Sequence, residues 1–312
     1  MSRKGRRSGA KRSRTPWVIL SLVVILAVVA YFIFTQSGVT GGSPLNGQPV
    51  SPVVLSQLAG VSANTLNAVG GGPSNPTKPI IGTPLTFNDK PEVLYMGSEF
   101  CPFCATERWS MIVALDKFGN FTGLEYMQSG PTPEPFPNTP TFTFRDASYA
   151  SKYISFVSVE QQDRNHGPLQ TATADQTALL NQYDSGGSIP FIDLGNAYVV
   201  VGSQLSPAVL RVGGGDTAAP YNWTQVSAQL DNSSSAIAQS VDGTANRLIS
   251  AICKIDGNKP PNVCSQSFAQ ILGYVRNSTS GGPQLLISDV MPRGVPSVSV
   301  SRLAPNRQVV QV

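Results

Sequence analysis

Two cysteines separated by two residues, Cys101-Pro102-Phe103-Cys104, are the part of this 312-residue chain best suited to chemistry. An apolar run over residues 92–96 precedes them and a helix-like run over residues 106–118 follows, so the pair falls at a strand-to-helix turn. At a helix start the first N–H groups are unpaired and the helix dipole is positive. A thiolate there is stabilised, and its pKa falls below the free value of about 8.5. The spacing brings the second sulfur within reach of a disulfide formed on the first. Pro102 suits the first turn, where its missing N–H costs nothing. On these grounds Cys101 is the attacking thiolate and Cys104, one turn inward, the resolving thiol. Two other readings fit the same residues. The pair could be half of a zinc site, but zinc takes four ligands, and the chain adds only His166 and two more cysteines. It could also be a locked disulfide without turnover.

The elements that must position the pair follow from pattern. Residues 92–96 (EVLYM) read as a buried strand, and Trp109, Ile112, Val113 and Leu115 give the next segment a helical face. Residues 124–127 read as a strand, and a Pro-rich loop occupies residues 131–140 before two β-rich runs, 141–144 and 153–159. Residues 169–183 read as a helix. Residues 189–194 and 197–201 read as a hairpin through Gly195-Asn196, and residues 226–237 and 244–255 as two further helices. Strands alternating with helices predict an α/β fold with a mixed sheet flanked by helices. No internal repeat is present.

The charged share is low, 13%. The net charge of +4 is misleading, because residues 1–14 carry seven Lys and Arg and no acid, so +4 less seven leaves −3 for the remainder. A basic, nucleic-acid-binding body is therefore not expected. The basic segment is followed by residues 17–34, WVILSLVVILAVVAYFIF, with no charge, Gly or Pro. As a helix these residues reach about 27 Å, near the thickness of bilayer hydrocarbon. A single transmembrane helix is expected there, with the basic tail (1–16) cytoplasmic and the rest of the chain outside. A cleaved signal peptide is the alternative, but its apolar core would be shorter and end in small residues. Residues 35–84 read as a linker, rich in Gly, Pro, Ser and Asn, with one short amphipathic helix at 53–69 that packs on the domain or the membrane. The main domain is expected over 85–280 and a loose tail over 281–312.

The segment from residue 92 to 115, EVLYMGSEFCPFCATERWSMIVAL, resembles the first strand, active-site turn and helix of the thioredoxin superfamily. Its Phe-Cys-Pro-x-Cys form is closer to glutaredoxins and periplasmic thiol oxidases than to thioredoxin itself. Gly187-Ser188-Ile189-Pro190-Phe191 resembles the cis-proline segment of that superfamily. The resemblance implies a thioredoxin-like sheet, a cis bond at Ile189–Pro190, and a role for these two residues opposite the cysteines in holding extended thiol substrates. It covers residues 85–202. The stretch at about 131–167 is then an inserted loop region, and the helical part after 203 a C-terminal extension. One departure stands out: six positions before the first cysteine the superfamily carries a buried acid, and here that position is Tyr95. Glu99 and Glu107 are near but not equivalent. The whole arrangement is similar to an uncharacterised family of membrane-anchored thioredoxin-like proteins of archaea and actinobacteria.

Cys253 and Cys264 flank a Gly/Pro-rich loop and, in an oxidising compartment, are expected to form a structural disulfide. A second redox pair relaying electrons from Cys104 is the alternative. Asn120, Asn222, Asn232 and Asn277 begin glycosylation sequons that chance alone can supply, and His166 reads as a surface residue. The expected function is a membrane-anchored, extracytoplasmic thiol–disulfide oxidoreductase acting on protein thiols or disulfides. Phe100, Phe103 and Pro190 would form its apolar rim, and a redox partner protein would restore it. No cofactor or metal is expected. A non-catalytic interaction module with Cys101–Cys104 as a structural disulfide, or a copper-delivery protein, would use the same residues differently.

Overall fold

The computed structural model describes residues 42–271. The expected basic tail, membrane span and loose C-terminal tail lie outside the described residues. Among the described residues, no helix is long and apolar enough to cross a membrane.

The chain opens with two short helices, α1 (Pro52–Ala59) and α2 (Ala63–Val69). Ser51 and Ser62 cap them, each side-chain oxygen accepting a backbone N–H of the first turn, from Val54 and Thr65. The single helix expected over 53–69 is therefore broken, because Ser62 sits in extended backbone and restarts it. Nor is this stretch a spacer. Val50, Val54, Leu58, Val61 and Leu66 are buried in the main core. Asn246 donates from its side chain to the carbonyls of Leu66 and Gly70 at 2.8 and 2.7 Å, tying α2 down. The glycines that suggested a linker serve close packing: a Cβ on Gly243 would meet the Cα of Gly72 at 2.8 Å.

The strands and helices that follow are β1 (Lys78–Pro79), β2 (Thr86–Phe87), β3 (Lys90–Gly97), α3 (Pro102–Leu115), β4 (Gly119–Thr122), β5 (Glu125–Gln128), β6 (Pro140–Thr143), β7 (Ser148–Ser151), β8 (Ser155–Glu160), α4 (Ala174–Tyr183), β9 (Phe191–Leu194), β10 (Tyr198–Val201), α5 (Trp223–Ser227), α6 (Ala236–Ile255) and α7 (Pro261–Cys264). The main sheet is mixed. Its centre is β3, parallel to β8 (Glu92 opposite Ser155, Gly97 opposite Glu160) and antiparallel to β9 (Val93 opposite Leu194, Met96 opposite Phe191). β10 pairs antiparallel with β9, β1 with β10, and β2 with the start of β3. β4 pairs with β7, and β5 with β6, in two small antiparallel ladders.

Side chains alternate across β3, as strand geometry requires. Val93 and Tyr95 face the large core, with Trp109 and Ile112 of α3 and Val241, Leu248 and Ile252 of α6. Leu94 and Met96 face a smaller core closed by Leu180 of α4, with Val159, Phe191 and Val199. Helices thus cover both faces of the sheet, so β3 is apolar on both sides, which explains its unbroken run. The helix expected from residue 169 starts at Ala174, because Thr173 and Gln176 form a reciprocal cap there. The two helices expected over 226–237 and 244–255 are instead a short α5 and a 20-residue α6. The Asn-Ser-rich stretch between them turns, and Ser235 caps the new helix. Along α6 the buried positions Ile237, Val241, Ala245, Leu248 and Ile252 recur every three or four residues.

Candidate functional site

β3 delivers the chain to the cysteines at its C-terminal end, and α3 starts on them. Cys101 is the N-cap of α3, in extended backbone (φ −72°, ψ 119°). Its sulfur accepts the Cys104 backbone N–H at 3.2 Å, in the place usually taken by a Ser or Asp oxygen. Hydrogen bonding from the Cys104 thiol, and then from this N–H, holds the Cys101 pKa below its ordinary value, against the opposing effect of burial; the charge of Arg108 works in the same direction. Burial, and then the Cys101 sulfur, push the Cys104 thiol well up. Both thiols are free. Cys104 has no exposure and Cys101 only 5%, so whatever reaches the pair must come through Cys101.

The segment expected opposite the cysteines is there. The Ile189–Pro190 bond is cis, and the Ile189 carbonyl oxygen lies 3.9 Å from the Cys101 sulfur. Ile189 is half-buried and Pro190 buried. The aromatic residues are arranged more widely. Phe103 is 38% exposed and meets Phe136 of the Pro-rich stretch edge-on, with ring centres 6.3 Å apart. Phe100 is half-buried and lies under His166, with ring centres 4.0 Å apart, while His166 Nε2 is 3.0 Å from Glu134. The exposed apolar residue of the rim is therefore Phe103, backed by the half-buried Phe136, and Pro190 contributes from below the surface. A cleft of about 420 Å³ opens from Phe103 between Pro73, Asn75, Gln204, Leu205 and Val209. A larger one of about 860 Å³, near Arg211 and Tyr221, contains none of these site residues.

Behind the sulfurs lies a charged layer. Arg108 and Glu160 are fully buried and joined twice, Nε to Oε1 at 2.9 Å and Nη2 to Oε2 at 2.6 Å. Nη2 also donates to the Ser98 carbonyl at 2.8 Å. The guanidinium lies over the Tyr95 ring, 5.6 Å from its centre. Glu99 accepts the Thr143 hydroxyl at 2.6 Å, and burial raises its pKa. Glu107 points away from this layer, accepting Ser203 and the Gln204 N–H at 3.0 Å each, with burial pushing its pKa to about 7. Arg108 had one sequence signal: with Glu107 it is a charge inside an otherwise uncharged helix that is buried almost throughout.

Residues 79–254, more than half of the chain, match the family described as Domain of unknown function (DUF929). The chain belongs to the DUF929 family. The DUF929 stretch takes in both cysteines of the motif, Arg108, Glu160 and Pro190, and it begins after α1 and α2. No curated protein and no solved structure matched the chain.

Cys253 and Cys264 form a disulfide with Cα atoms 5.6 Å apart, joining the end of α6 to α7. Among the described residues, no cluster of three or more His, Cys, Asp and Glu side chains could hold a metal ion.

Proposed function

We propose that this DUF929 member is a thioredoxin-like thiol–disulfide oxidoreductase acting on protein cysteines outside the cytoplasm, held to the membrane by residues 17–34. The observation that carries the proposal is the asymmetry of the pair: Cys101 caps the helix with its sulfur on a backbone N–H, and Cys104 is sealed one turn inside. The order β8-β3-β9-β10, with the cysteines following β3 and Ile189–Pro190 preceding β9, supports the thioredoxin-like reading. The Cys253–Cys264 disulfide suits an oxidising compartment.

In this reading the Cys101 thiolate attacks one sulfur of a substrate disulfide. A bond forms between Cys101 and that sulfur, and the other sulfur leaves as a thiolate and takes up a proton. Cys104 then attacks Cys101, closing the Cys101–Cys104 disulfide and releasing the second substrate thiol. The pair loses two electrons and the substrate gains two; a redox partner protein reverses the balance. The same steps run backwards oxidise a substrate dithiol. The exposed Phe103 and its cleft receive the polypeptide.

The test is exchange between the full chain and a disulfide-bonded protein. Cys101→Ser should abolish it and Cys104→Ser should accumulate the mixed disulfide. Full exchange by Cys101→Ser overturns the proposal. A reduction potential far below about −300 mV would instead identify the pair as a structural lock.

A further inference from the structure

A cysteine that must attack from complete burial needs help to lose its proton, and the position that the thioredoxin-like reading gives to an acid is held by Tyr95. That side chain is fully buried and its hydroxyl has no hydrogen-bond partner. The charge near the pair is a cation instead. Arg108 follows Cys104 by four residues on α3, so the two share a helix face one turn apart. Its guanidinium is fixed on three sides: Glu160 holds Nε and Nη2, the Ser98 carbonyl holds Nη2, and the Tyr95 ring lies beneath. The Ser98 carbonyl also accepts the Cys101 N–H at 3.3 Å, so one oxygen ties the arginine to the cysteine turn. The remaining nitrogen, Nη1, is buried without a partner. As a device for stability this layer is poor, since a buried ion pair is often matched or bettered by apolar side chains of the same volume.

We propose that Arg108 is the positioning residue of the cysteine pair, holding a fixed positive charge behind Cys104 so that the buried thiol can attack as a thiolate, with Glu160 and Ser98 setting the guanidinium. The role rests on the exchange reading above. In the resolving step the Cys104–Cys101 bond forms, the bond from Cys101 to the substrate sulfur breaks, the pair is oxidised and the substrate reduced, and the departing thiolate carries off the equivalent of the Cys104 proton. Arg108 exchanges no proton and touches no substrate. Tyr95 from β3 and Arg108 on α3 interact electrostatically with both cysteines, while Glu160 from β8 and Glu99 from the turn interact with Arg108. The Arg108 charge favours the ionised form of both cysteines.

The experiment is a single turnover on the full chain. Cys101 is loaded as a mixed disulfide with 5-thio-2-nitrobenzoate, and release of the coloured thiolate by Cys104 is timed against pH. Arg108→Gln should slow release at neutral pH about tenfold or more and move the midpoint of the profile up by about one unit or more. Arg108→Lys, which keeps the charge and loses the fork, should recover part of both. A folded Arg108→Gln protein with the wild-type midpoint overturns the proposal. Should that variant not fold, the paired change Arg108→Met with Glu160→Leu removes the charge without stranding a carboxylate; a wild-type midpoint there overturns it equally. Failure of the wild-type chain to release any thiolate would defeat the exchange reading itself, a different result from an unmoved midpoint.

Discussion

The Cys101 sulfur and the Ile189 carbonyl oxygen lie 3.9 Å apart, across 88 residues of sequence. With the Cys104 N–H also directed at this sulfur, at 3.2 Å, Cys101 is held between two separate segments. Hydrogen bonding from the Cys104 thiol and N–H pulls the Cys101 pKa down, and burial pushes that of Cys104 up. Thiolate absorbance followed against pH should show two well-separated steps in the reduced protein. Since the largest single cause on Cys101 is hydrogen bonding from the Cys104 thiol, Cys104→Ala should move the first step to higher pH. One merged step, or a first step unmoved by Cys104→Ala, would contradict this account.

Helix α1 should be part of the folding unit. Leu58 has no exposure and packs in the same core as Val93 and Trp109. Leu58→Ala should cost about 2–5 kcal/mol in denaturant unfolding, the usual range for a buried Leu→Ala change. A loss near zero would mean that α1 is a spacer after all.

How far the sequence disclosed this depends on how local each cause is. The strand, turn and helix around Cys101 were legible because apolar run, proline and spacing all act within a few residues. The Gly195-Asn196 hairpin was legible for the same reason. Ser51 and Ser62 cap two helices whose break the apolar pattern does not mark, and Gly71-Gly72 resemble linker residues because their reason, the approach to Gly243, lies about 170 residues away. The Arg108–Glu160 pair spans 52 residues, and nothing in the pattern of either segment names its partner. The neighbours of Phe136 and His166 were likewise hidden, since only folding of the Pro-rich stretch and of the loop after β8 brings them to Phe103 and Phe100.

The second cysteine pair should act as a staple. The Cys253–Cys264 bridge closes a short loop, with the cysteines 11 positions apart. Such a loop is worth about 3 kcal/mol in the chain-entropy model. Changing both cysteines to Ser should lower Tm by roughly 2–4 °C for each kcal/mol lost. Exchange at Cys101 should proceed at the wild-type rate in that variant. A large loss of exchange with little change in Tm would point to an electron relay instead.

The pH dependence of stability should be tilted by Asp242. Its carboxyl has no exposure, and neither oxygen has a hydrogen-bond partner. The nearby cation, Lys117, spends its ammonium on the carbonyls of Ala59 and Val61 at 3.2 and 2.7 Å. Burial pushes the Asp242 pKa to about 8, opposed by the Lys117 charge and aided by that of Asp231. In the unfolded chain the same group titrates near 4. Between those values the native state keeps a proton that the unfolded state gives up, so stability falls as pH rises, by up to about 1.4 kcal/mol per unit, and levels off above the folded value. Burial raises Glu107, Asp116 and Asp193 to about 7, 7 and 6, and they tilt the curve the same way. The contribution of Asp242 is therefore read as a difference. Asp242→Asn should gain on the wild type steadily from pH 5 to pH 8 in parallel denaturant titrations, and the gap should stop growing beyond that. Two profiles that run parallel from pH 5 to pH 8 would show that this carboxyl is ionised in the folded protein and has found a partner.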